Sequence, residues 1–188
     1  MFEHIRPAIA SLALMTLVTG AAYPLTVTAV AQLAMADAAN GSLLRDGSRQ
    51  VRGSALLAQP FQGAEWFLPR PSAADYATVA SGASNLAPSN PELLAQVRQR
   101  IQAWNGGTGQ PVPMELVTTS ASGLDPHLTL AAARYQIARV AQARGMPAES
   151  LERLLQAHLS SPTVGPAVVN VLALNLALAD NRSPDSSE

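Results

Sequence analysis

Residues 7–36 read PAIASLALMTLVTGAAYPLTVTAVAQLAMA and carry no charged side chain. As a helix rising about 1.5 Å per residue, this run would exceed the roughly 30 Å hydrocarbon core of a bilayer. A helix satisfies its own backbone hydrogen bonds, so it can cross lipid where a loop cannot. The remainder of the chain is therefore expected to be tethered to a membrane or released from one.

Two readings compete for this stretch. Ala34-Met35-Ala36 fits the small-x-small pattern of signal-peptide cleavage, and Arg6 supplies a thin basic flank. A signal core, however, needs only about 7–15 apolar residues. The length favours a permanent anchor. Pro24 lies mid-span, where its ring removes a backbone donor and is expected to kink the helix. Ala13, Thr16, Gly20 and Tyr23 follow at spacings of three and four, which predicts one face of small and mildly polar residues against which another helix could pack. The simpler alternative is that such residues are common in membrane helices. Charge alone does not choose the orientation. Arg6 precedes the span and Arg45, Arg49 and Arg52 follow it, but those three lie toward or beyond the edge of the zone that sets topology.

The remaining length suits one compact domain within the 188 residues. The expected division is a short tail at 1–6, a transmembrane helix at 7–36, a domain at 37–182 and a disordered tail at 183–188. Twelve basic residues balance thirteen acidic ones, so nothing points to nucleic acid. All twelve basic residues are arginine. A chain without lysine cannot carry a Walker A phosphate loop, a Schiff-base lysine or a Ser-Lys dyad. The lack of cysteine removes thiol nucleophiles, disulfides and zinc-thiolate sites.

Beyond the anchor, Asn40-Gly41 marks a turn, and 42–44 with 50–57 read as short strands joined through Arg45-Asp46-Gly47-Ser48. Residues 59–91 form a long Pro-, Gly- and Ser-rich loop holding Phe61, Trp66, Phe67 and Tyr76. Such a loop is either a binding element or an inert segment pinned by its aromatics. Within it Trp66, Phe67, Arg70, Asn85 and Asn90 are candidates for contact with another subunit. A helix is expected to start near residue 90, with either Ser89 and Glu92 as a capping box or Asn90 as the cap and Pro91 first in the helix. Leu93, Val97, Ile101 and Trp104 share its apolar face, and Asn105-Gly106-Gly107 ends it. A buried strand is expected within 111–119, and a loop over 120–127. A helix capped by Thr129 should run to Arg144 and stop at Gly145. Another should begin at Pro147 with Leu151, Leu154, Leu155 and Leu159 as its stripe. Residues 168–178 read as a strand followed by a short helix.

The cluster closest to catalytic chemistry is Ser120, Ser122, Asp125 and His127. A serine hydrolase needs an activated serine, a histidine base and an orienting acid. Here all of them sit along one loop, where Asp and Ser most often bond backbone groups. His4, His127 and His158 are too scattered to suggest a metal site. From the residues alone, the chain reads as a single globular α/β (α+β) domain tethered by one N-terminal transmembrane helix, with a partner-binding role and no catalytic residues.

Several segments, in this order and spacing, carry a specific resemblance: TGAAYPL at 19–25, NGSLL at 40–44, VRGSALLAQPF at 51–61, RPSA at 70–73, SNLAPSNPEL at 84–93, PVPMELVTTSASGLDPH at 111–127, YQIARVAQARG at 135–145 and VNVLALNLAL at 169–178. Together they resemble the C subunit of the Kdp-type potassium-transporting ATPase over nearly the whole chain. Local departures are Pro69 where the family usually has glycine, Ala83 in place of another glycine, and the apolar Gly165-Pro166-Ala167-Val168. The resemblance implies an accessory, non-catalytic subunit of an ATP-driven potassium importer. Its implied partners are the hydrolysing P-type ATPase subunit, a channel-like potassium-translocating subunit, a small hydrophobic subunit and membrane lipid. It also implies one span in the bacterial inner membrane, an extracytoplasmic domain, and a role as a catalytic chaperone that raises the ATP affinity of the P-type subunit. ATP, the one cofactor implied, would enter only through the complex. The alternative is a tethered extracytoplasmic binding module or hydrolase unrelated to ion transport.

Overall fold

The computed structural model describes residues 2–104 and 110–180, which divide into two compact units meeting in the sequence between Leu43 and Leu44. The expected helix ending at 105–107 and the expected tail at 183–188 lie outside the described residues.

The first unit is dominated by one apolar helix over Ile5–Ala34, none of whose most hydrophobic window is buried by the rest of the chain. It is built from α1 (Ile5–Leu17), a π-helical turn (Val18–Ala22) and α2 (Tyr23–Ala34). The π turn answers the expected proline kink. Pro24 has no N–H for the Gly20 carbonyl, and its ring would press on that group in a regular helix. Widening the preceding turn, with the Tyr23 N–H donating to the Val18 carbonyl, relieves the clash without breaking the helix. Thr19 and Thr26 donate their hydroxyls to the Met15 and Ala22 carbonyls, at 2.7 and 2.8 Å. The extra residue in the π turn rotates everything after it by about one residue step, roughly 100°.

Met35 leaves the helical region (φ −151°, ψ 56°), and α3 (Ala36–Ala39) follows. The Asn40-Gly41 turn closes α3 as a Schellman motif: Ser42 N–H donates to the Asp37 carbonyl and Gly41 N–H to that of Ala38. Gly41 occupies the left-handed position this motif requires (φ 87°).

The second unit is an α+β fold. β1 (Leu43–Arg45) and β2 (Val51–Ser54) pair as the expected two-stranded element, although β2 ends before 57 in a turn. A three-stranded antiparallel sheet has the order β3 (His127–Thr129), β5 (Val168–Asn170), β4 (Leu159–Ser160). Its register sets Leu128 opposite Val169 and Leu159 opposite Val169. Leu128 and Val169 point into the core, where Leu151 and Leu155 of α7 (Ala148–Ala157) and Leu174 and Leu178 of α8 (Val171–Asp180) meet them fully buried.

Four sequence expectations need correction. Residues 111–119 hold no strand: a 3₁₀ turn at Met114–Leu116 follows the extended Pro113. Leu116 and Val117 are buried as expected, but α4 (Pro91–Trp104) reads their backbone, through Arg100 to the Val117 carbonyl and Trp104 to that of Leu116. The helix expected over 129–144 breaks at Gln136 into α5 (Leu130–Tyr135) and α6 (Ile137–Arg144). His127 begins a strand instead of ending a loop, and Leu159 belongs to β4, past the end of α7.

Candidate functional site

Two buried amides organise the region where subunit contacts were expected. Gln136 is fully buried, and its Oε1 accepts from the Leu68 N–H (2.8 Å) while its Nε2 donates to the Leu68 carbonyl (2.9 Å). Asn175 treats Phe67 in the same way, at 3.0 and 2.8 Å. Each carboxamide thus stands in for a neighbouring strand and satisfies a backbone that has none. Arg139 donates to the carbonyls of Gly63, Ala64 and Trp66 and to Gln136 Oε1. Arg144 donates to the Glu65 and Leu178 carbonyls and stacks its guanidinium 4.5 Å above the Trp66 ring. Burial pushes the Arg139 pKa down, partly offset by Glu65.

The candidate contact residues separate accordingly. Phe67 has no exposed surface, so in this packing its side chain cannot touch a partner. Trp66 is half-buried beneath Arg144. Arg70 bridges Asp125 at 3.2 Å and donates to the Thr119 carbonyl, which pins the 70–72 segment to the 119–125 loop. Asn85 is exposed in a left-handed conformation (φ 55°). Asn90 is the helix cap: its Oδ1 accepts from the Glu92 N–H at 2.9 Å, with Pro91 first in α4. Of these five residues, Asn85 alone is exposed. The longest continuous exposed run of the loop is 77–81, with Val79 fully open to solvent. Behind it, Ser72 Oγ accepts from the Ala74 and Tyr76 N–H groups, and the Tyr76 hydroxyl donates to the Arg70 carbonyl. Sequence reasoning missed Gln136, Arg139, Arg144 and Asn175. Their one signal was polar residues placed inside apolar helix faces.

Ser120, Ser122 and Asp125 line an open groove of about 490 Å³ with Leu56, Leu57 and Arg70. Ser120 is buried, and Ser122 Oγ accepts from the Leu124 N–H. Asp125 caps the His127 N–H, with His127 Nδ1 at 3.7 Å from the same carboxylate. Among the described residues no hydrogen bond joins either serine to His127, so the nucleophile–base contact of a hydrolase is not assembled. Gly123, left-handed at φ 69°, lets this loop close against the Gly82 carbonyl. Among the described residues no group of three or more His, Asp or Glu side chains could hold a metal ion.

In the membrane helix, a Cβ added at Gly20 would meet only the Thr16 methyl, at 3.9 Å. Ala13, Thr16 and Gly20 therefore present an uncovered small-residue surface, with Tyr23 beside it and largely exposed.

Comparison with known proteins gives a family match over nearly the whole chain. Residues 5–180 match the family described as KdpC: K+-transporting ATPase, c chain. The potassium-transporting ATPase KdpC subunit of Pseudomonas aeruginosa is 59% identical over 179 residues, spanning 95% of this chain and 98% of that protein. The KdpC subunit of Pseudomonas putida is 58% identical over 178 residues, covering 95% and 96%, and that of Pseudomonas savastanoi pv. phaseolicola 54% identical over 178 residues, covering 95% and 94%. The chain belongs to the KdpC family, the c chains of K+-transporting ATPases.

Proposed function

We propose that this chain is a non-catalytic accessory subunit that is anchored by its Ile5–Ala34 helix, stabilises the potassium pump and acts as a catalytic chaperone for its ATPase subunit. The observation that carries the reading is that helix: it is long enough to span a bilayer, and none of its most apolar 18-residue stretch is buried by the rest of the chain. In lipid such a surface is matched either by acyl chains or by the helices of a partner. The partners would be a P-type ATPase subunit, a channel-like potassium-translocating subunit and a small hydrophobic subunit in the bacterial inner membrane. The folded unit after Leu43 would lie on the extracytoplasmic side.

On that side, direct contact with cytoplasmic ATP would have to cross about 30 Å of hydrocarbon. The effect on ATP is therefore a coupling between conformational states: the subunit favours the state of the pump that binds nucleotide more tightly. The test is the ATP dependence of potassium-stimulated hydrolysis in complexes purified with and without this chain. A higher KM for ATP in its absence, with kcat at saturating ATP less affected, supports the chaperone role. An unchanged KM would reduce the role to assembly. Labelling of the full-length Ser183→Cys variant from each side of the membrane decides the topology. Cytoplasmic labelling would overturn the indirect mechanism.

A further inference from the structure

Where the membrane helix gives way to the rest of the chain, two side-chain amides face each other across a break in the backbone. Gln32 Nε2 donates to Asn40 Oδ1 at 3.2 Å, and Asn40 Nδ2 donates back to Gln32 Oε1 at 3.1 Å. Asn40 Nδ2 also reaches the Ala36 carbonyl, at 2.8 Å. Between them lies Met35, which has left the helical region, so the backbone alone gives no continuous ladder to fix the angle between α2 and α3. The Schellman closure at Gly41 then locks the exit from α3. The reciprocal amide pair is a side-chain link that spans the break.

Its depth matters. Gln32 lies about 40 Å along the helix from Ile5, so with Ile5 at one membrane face it would lie past a hydrocarbon core of about 30 Å, at the level of the headgroups. Leu33 and Met35, which follow it, are 90% and 58% exposed, as suits side chains that meet lipid. There water competes less for the two amides than it would on a soluble surface, and a paired amide is favoured over a free one.

We propose that Gln32 and Asn40 form a juxtamembrane latch that holds the elbow at Met35, making the tether a rigid bracket instead of a flexible leash. The inference goes beyond the pump role and does not depend on it. The chain has no cysteine of its own, so spin labels can be placed on Leu17→Cys in the span and Leu43→Cys beyond the elbow. Both positions are exposed. Pulsed electron paramagnetic resonance on the full-length chain in phospholipid nanodiscs reads the distance between them. The latch requires a single narrow distance. Gln32→Met keeps the Asn40–Ala36 bond but removes the pair, and should raise the open population by about tenfold, as loss of a pair of hydrogen bonds does. Gln32→Glu keeps one acceptor for Asn40 Nδ2 and should give an intermediate width. A broad distribution in the parent chain, or one unchanged by Gln32→Met, would overturn the proposal.

Discussion

Replacing Asn175 with leucine removes both partners of the Phe67 backbone and leaves nothing in their place. The Phe67 N–H and carbonyl bond the Asn175 amide at 3.0 and 2.8 Å, and both residues are buried. An unsatisfied buried polar group costs about 1–3 kcal/mol, so two cost about 2–6. Leucine is similar in size and recovers about 1 kcal/mol of apolar burial. The net loss should be near 3 kcal/mol, a large share of the roughly 5–15 kcal/mol that holds a domain folded. With a urea slope of about 2 kcal/mol/M, the midpoint should fall by about 1.5 M. The transition can be followed in the full-length chain in detergent by tryptophan fluorescence, because Trp66 directly precedes Phe67. Gln102→Leu, at an exposed position of α4, should change stability by less than about 0.5 kcal/mol. A loss below about 1 kcal/mol for Asn175→Leu would refute the idea that this amide substitutes for a missing strand.

Gly123→Ala places a Cβ 2.7 Å from the Gly82 carbonyl at a left-handed φ of 69°, and should cost about 2 kcal/mol or more in the same urea assay. Asp46 is held at a pKa of about 2, chiefly by the Ser48 hydroxyl and then by Arg52 and the Gln50 N–H, against an ordinary 3.8. Because the folded value is depressed, the turn gains stability above pH 3.8 and loses it as the pH falls through about 2. An NMR titration of the carboxyl should show a midpoint near 2, and a midpoint at the ordinary value would contradict the contacts. The Cβ of Gly20→Leu would meet only the Thr16 methyl, so the substitution should leave membrane insertion intact but lower recovery of the assembled pump by blocking close helix approach.

Local signals were legible and distant ones were not. Thr129 accepts from the Ala132 N–H at 3.4 Å, Asn90 caps α4, and Gly145 ends α6 in the left-handed region, each as its residue type requires. The strand-then-helix reading of 168–178 also holds, since Val168–Asn170 leads directly into α8. What misled was any position whose shape is set from far away in the chain. Residues 111–119 look like a strand because an apolar run reports burial and not backbone form. There Glu115 turns back to accept both the N–H and the hydroxyl of Thr129. Gln136 is a good helix former, yet the helix breaks at it where its amide serves Leu68, 68 residues away. The Arg70–Asp125 bridge joins two motifs 55 residues apart that looked independent. Pro24 announced a disturbance in the membrane helix but not its form, a π turn over Val18–Ala22.

The most direct test of the membrane-bound subunit is extraction of a C-terminally tagged full-length chain in mild detergent from cells expressing the pump, beside a variant lacking residues 5–34. The full chain should bring down the P-type ATPase and channel-like subunits in fixed proportion, while the shortened chain should recover little of either. Recovery of the full chain alone, or equal recovery of the pump by both, would contradict it.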